Sequence, residues 1–172
     1  MNDNKPSRPI AVWLFLAAFC LMFYGLGASF VESFVNYPTW RLIGVNEFRD
    51  YHRALGPLIV GYMVIPMLLG TILSLVLVWV RPSPIPLWTV LVAVACQLIV
   101  WISTATIQLP IQFQLGADGL SIPAIDRLIF TNLWLRKVPQ IIATALFIWM
   151  MYLILRANVS RTAATPQDNN II

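Results

Sequence analysis

Four long apolar runs, separated by short polar stretches, make up most of the chain, at about 10–35, 57–80, 87–112 and 139–155. Each reaches the roughly 17–25 residues that a helix needs to cross the hydrocarbon core of a bilayer. The pattern predicts an all-α fold: a polytopic membrane four-helix bundle with short interfacial helices on the non-cytoplasmic side. One transmembrane domain is expected over 1–157, followed by a polar, disordered tail over 158–172.

The punctuation between the runs sharpens the boundaries. Tyr37-Pro38 is expected to stop the first helix, because the residue before a proline avoids helical backbone. The charged stretch 46–53 reads as a short surface helix capped by Asn46. Pro57 suits the start of the second span, and Pro66 should kink its middle. The proline-rich segment 81–86 is a tight connection between antiparallel helices. Pro110 is expected to bend the end of the third span. Gly116 and Gly119 mark a turn. Ser121 is the expected cap of another helix, with Pro123 in its first turn. That helix, to about Lys137, reads as interfacial and leads into a last span that starts at Pro139.

Composition agrees. The chain is 59% hydrophobic and 10% charged, with mean hydropathy +0.79, against about 25% charged residues in an ordinary soluble domain. Its lateral solvent is therefore expected to be lipid. Net charge is +4, but the basic residues are scattered, which makes a poor footprint for nucleic acid. Cys20 and Cys96 lie inside apolar runs and read as buried thiols, not as a disulfide. With one histidine and no zinc-type spacing, no metal site is expected. The basic start before the first run resembles a signal peptide. The run is too long for a signal core and lacks a clear cleavage pattern, so a retained helix is expected, with Gly27, Ala28 and Ser29 leaving cleavage open.

Basic residues divide almost evenly between the two sides, so their count does not orient the chain. Those on the terminal side, such as Lys5, Arg8, Arg81 and Arg156, have few acidic neighbours. Both termini are therefore expected in the cytoplasm, with the protein multi-pass in the cell membrane.

Two spans and the approach to a third carry polar stripes. Gln97, Trp101, Thr104, Gln108 and Gln112 fall on one face of a helix, as do Gly25, Ser29, Glu32 and Asn36, and again Asn132, Arg136 and Gln140. Polar side chains avoid hydrocarbon, so these faces should turn into the bundle. They gather opposite the termini, which implies a polar pocket on the non-cytoplasmic side. Interhelical hydrogen bonding alone is the competing account of Gln97 and Thr104. Glu32 needs a cationic partner or a function, the candidate partners being Arg136, Arg53 and Arg41. His52 is either a proton acceptor or a solvated residue of a surface helix. A haem held by His52 and Met63 or Met67 is disfavoured, because methionine is common in apolar spans. Gly61 and Gly70 read as points of close helix approach.

The layout of a glycine-containing first helix with Gly25, the break at Pro38, a charged loop, and Asn132 and Arg136 before the last span resembles the small four-helix membrane proteins related to anthrone oxygenases. The resemblance implies cofactor-free oxygenation of a phenolic polycyclic compound. Three functions follow as expectations. The first is a membrane oxidoreductase acting on a lipophilic ring compound from the bilayer. Its catalytic candidates are His52, Glu32 and Arg136, and its ligand-binding candidates are Trp101, Gln108, Gln112 and Asn132. The second is a non-enzymatic accessory or assembly subunit, with a membrane protein partner or a second copy of the chain. The third, a transporter or channel, is weakened by the small number of spans and the absence of a repeat. No cofactor is named by the sequence.

Overall fold

The computed structural model describes residues 9–164, and side chains through Ser160. The described residues form four long helices: α1 (Pro9–Leu42), α2 (Phe48–Val80), α3 (Leu87–Asp118) and α4 (Ile122–Ser160). Each is long and apolar enough to cross a membrane, which is compatible with a multi-pass membrane protein. They run up and down in a closed ring, α1 packing on α2 and α4, and α3 on α2 and α4. At about 1.5 Å per residue a helix of 32 residues spans about 48 Å, well beyond a hydrocarbon core of about 30 Å. We call the half holding Pro9 and Ser160 proximal and the opposite half distal.

Two clusters fill the ring. The proximal core contains Phe15, Ala18, Leu77, Ala93, Phe147 and Met150, with Phe15 and Phe147 stacked at 5.8 Å. The distal core contains Tyr37, Trp40, Phe48, Leu115, Ile125 and Leu128. The outer surface is apolar as well. Trp79 is 77% exposed and Tyr62 71%, an arrangement that suits a lipid environment.

Connections are short. Between α2 and α3, the Ile85 N–H bonds Pro82 O at 3.0 Å, and Arg81 binds the Ile85 and Val78 carbonyls at 3.1 Å each. At the distal end Gly119 adopts φ +90° and its N–H reaches Leu115 O at 3.1 Å. Only glycine enters that backbone region without strain. Ser121 caps α4 by accepting from the Ala124 N–H at 3.4 Å, as its position before Pro123 predicts. The cap of α2 is Glu47, not Asn46, and it makes no side-chain cap bond; the Glu47 and Phe48 N–H groups instead meet Gly44 O.

The prolines behave differently from the expectation. Pro38 does not end α1, Pro57 does not begin α2, and Pro139 does not begin the last span; all three lie inside continuous helices. The segments expected as separate interfacial helices, 46–53 and from Ser121 to about Lys137, are instead the distal ends of α2 and α4, which begin at Phe48 and Ile122. The helix of α4 also continues through Ala164, so the expected tail is helical from 158 to 164; its remainder, 165–172, lies outside the described residues.

The reason is a device used four times. Each long helix contains one five-residue π-helical turn: Glu32–Asn36, Val60–Val64, Thr104–Gln108 and Leu133–Lys137. Each turn ends two residues before a proline: Pro38, Pro66, Pro110 and Pro139. A proline has no N–H and its ring collides with the carbonyl four residues back. The wide turn relieves the collision, because the residue before each proline donates to the carbonyl five back. These bonds are Tyr37 to Glu32, Ile65 to Val60, Leu109 to Thr104 and Val138 to Leu133. Two of the carbonyls that lose their proline-side donor are satisfied from a neighbouring helix. Tyr24 donates to Tyr62 O at 2.6 Å, and Ser103 to Leu135 O at 3.4 Å. Membrane helices tolerate proline when such partners exist.

Candidate functional site

Three of the four π turns carry buried polar side chains, and with them the buried charged residues found among the described residues: Glu32 and Ser33 on α1, Gln108 on α3, Arg136 and Lys137 on α4. Wide turns of this kind recur at functional positions. Here they shift the facing of residues beyond them, so the polar side chains separate into three levels.

The innermost level is a partly open cleft between all four helices, enclosing about 30 Å³. Its walls combine apolar and thioether groups (Leu21, Met22, Leu26, Met67, Val100) with Thr71, Gln97, Trp101, Gln140 and Thr144. Gly25 opens it: a Cβ there would stand 2.8 Å from Met67 Cγ. Most of the polar wall is self-satisfied. Trp101 Nε1 donates to Thr71 Oγ1 at 2.9 Å, which donates to Met67 O at 3.0 Å. Thr144 donates to Gln140 O at 2.9 Å. Gln97 is different. It is 6% exposed, and neither Nε2 nor Oε1 has a partner. Leaving a buried donor or acceptor unsatisfied costs about 1–3 kcal/mol each.

The second level is a charged layer at the α1–α4 seam. Lys137 Nζ donates to Ser29 Oγ and, at 3.3 Å, to Gln140 Oε1, and lies 5.9 Å from the centre of the Phe30 ring. Ser29 donates to the same Gln140 Oε1 at 3.0 Å, which ties this layer to the cleft wall. Asn36 donates to Glu32 Oε2 at 2.6 Å, and Asn132 donates to Ser33 Oγ. Glu32, Arg136 and Lys137 interact electrostatically. The ion pair expected for Glu32 does not form: the ion pair among the described residues joins Arg41 to Asp126, both exposed, and Glu32 takes Asn36 instead. Asn132 Oδ1 and Arg136 Nε are buried and unpartnered.

The third level is distal. His52 Nε2 meets Gln112 Oε1 at 2.7 Å, and its ring packs edge-on to Trp40 at 5.4 Å and against Phe48 at 5.7 Å. Tyr37, buried beneath, interacts with Arg136 and Gln112. Gln108 turns to α4 and donates to Thr131 Oγ1 at 3.0 Å.

The expected site residues therefore do not share one pocket. Trp101 lines the cleft. Glu32, Arg136 and Asn132 meet in the charged layer. Gln112 and His52 pair distally, and Gln108 is engaged with Thr131. The reason is the turn at Thr104–Gln108, which breaks the single face that a regular helix would give to α3. One residue of the site was missed: Lys137, expected on an interfacial helix, is 1% exposed. Gln97, expected on the inward polar stripe with interhelical bonding as the competing account, makes no such bond. The available signal for Lys137 was its place two residues before a proline and three before Gln140.

Among the described residues, no group of three or more histidine, cysteine, aspartate or glutamate side chains is placed to hold a metal ion. Comparisons of the chain with family models, with curated proteins and with solved structures find no match.

Proposed function

We propose that this protein draws a lipophilic ring compound bearing an oxygen function from the bilayer into the cleft between its four helices. The observation that carries the reading is the Gln97 amide, buried in the cleft wall with donor and acceptor both unengaged. A ligand offering a carbonyl and a hydroxyl satisfies both ends. The Trp101 indole and the Met22 and Met67 thioethers suit a flat aromatic body.

The enzymatic form of the reading is a membrane oxidoreductase or oxygenase, the reaction class implied by resemblance to the anthrone oxygenase-like proteins. Its acid–base chemistry falls to Glu32, with Arg136 holding an oxygen anion. His52, engaged in the distal cluster, is left out. The protein sits multi-pass in the cell membrane with both termini in the cytoplasm, which reporter fusions at each end test directly.

The decisive experiment is mass spectrometry of small molecules released from protein purified in mild detergent. A ring compound released by the wild type and absent from Gln97→Leu is the expected result. A chain that carries no small molecule but a stoichiometric protein partner would replace this reading with that of an accessory subunit.

A further inference from the structure

Three ionisable side chains are buried together where α1 meets α4: Glu32 at 4% exposure, Arg136 at 5% and Lys137 at 1%. Their formal charges, one negative and two positive, leave an excess of one positive charge. Buried charges in a membrane protein are retained when paired or used. The only acid of the three is engaged by Asn36. The hydrogen-bond partners of Lys137 are the neutral oxygens of Ser29 and Gln140, and Arg136 Nε has none. Gln140 also forms part of the cleft wall, so the cation stands one hydrogen bond behind that wall. Four methylene groups give its ammonium the freedom to re-aim.

We infer that the cleft takes a lipophilic oxygen acid, a monoanion such as a carboxylate, whose charged end seats against Lys137 while Gln97 holds a second polar atom. This rests on the cleft being a ligand site, as proposed above, and adds the charge of the ligand. The anion brings the buried set to neutrality. It replaces neutral acceptors with a charge-assisted bond, the stronger kind.

The test compares 2-naphthoate with 2-naphthamide, nearly equal in shape and different in charge, by titration calorimetry on protein in phosphatidylcholine nanodiscs, with empty nanodiscs as the blank. Wild type is expected to bind the acid at least about tenfold more tightly than the amide, the scale of a charge-assisted hydrogen bond. Lys137→Met should erase that preference, and Lys137→Arg should retain part of it. Equal binding of acid and amide by the wild type overturns the inference and leaves the cleft reading standing. Binding of neither probe, with no effect of Gln97→Leu, overturns both. This wild-type comparison decides the matter even where Lys137→Met fails to fold. Repeating the titration in nanodiscs containing phosphatidylglycerol separates the sources of the acid. Competition that depends on Lys137 assigns it to a lipid headgroup, and unchanged binding to a free lipophilic acid.

Discussion

Gln97 and Gln112 lie on one helix and, by spacing, on one stripe, yet they meet opposite fates. In the distal cluster Gln112 is answered by His52 at 2.7 Å, and aromatic rings close around the pair. In the cleft Gln97 is equally a primary amide, more deeply buried, and answered by nothing. Gln108, between them, is half answered: its nitrogen reaches Thr131 and its oxygen reaches no one. A polar group in a membrane bundle that finds a protein partner is part of the architecture. One left open at both ends beside a cavity is an address for something else. The charged layer lies between these extremes, bonded to itself but not neutral.

That contrast can be attacked at each level. The largest effect is expected from Glu32→Ala, which leaves Arg136 and Lys137 without their one acidic neighbour. Losing a buried charge together with the hydrogen bond it accepts destabilises by about 1.5–3 kcal/mol. Cys96 is buried and Cys20 exposed, so a thiol-reactive dye in a Cys20→Ser background reports melting. A variant that melts with the wild type would show that the layer is not coupled through charge.

A smaller loss is expected from Gly70→Ala, where the new Cβ would stand 3.1 Å from Leu21 Cβ on the α1–α2 seam. Overpacking of this kind costs about 1–3 kcal/mol. At Gly61, also expected from sequence to mark close approach, nothing lies within 4 Å of a new Cβ, so Gly61→Ala should be neutral or slightly stabilising. At Gly25 the obstructing atom belongs to the flexible Met67 side chain. Gly25→Ala should therefore keep the melting temperature and weaken ligand binding as Met67 moves into the cleft.

The two histidine and glutamine sites should then diverge. His52→Ala removes a bond worth about 1 kcal/mol and should leave ligand binding unchanged. Gln97→Leu should leave stability equal or improved, because it deletes an unsatisfied amide, and should abolish binding. Matching effects of the two variants on binding would merge the levels distinguished here. The smallest effect is expected from Arg41→Ala, which breaks the exposed pair with Asp126. Its loss should stay below about 1 kcal/mol and shrink as salt is added.

Much of the fold could be read locally. Apolar runs of bilayer length report their own helices, and Ser121 before Pro123 reports its own cap, because those signals depend only on neighbours along the chain. The prolines were visible, but what they do was not. Pro38 and Pro139 read as helix boundaries, since proline ends most helices in water. In a packed bundle a wide turn and donors such as Tyr24 and Ser103 cost less than breaking the helix in lipid. Lys137 was hidden for a related reason. A lysine near the end of an apolar run ordinarily reaches for the interface, and only the approach of Ser29 and Gln140 from two helices makes the interior a place for it.

The sequence by itself determined an all-helical chain with four apolar helices long enough to cross a membrane and the existence of inward polar faces, because hydrophobicity and period are properties of each segment alone. The tertiary structure decided which of those polar groups are answered and which are not. Hydrogen bonds and charge compensation depend on side chains brought together from distant parts of the chain, and on four widened turns that rotate them out of the register a regular helix would impose.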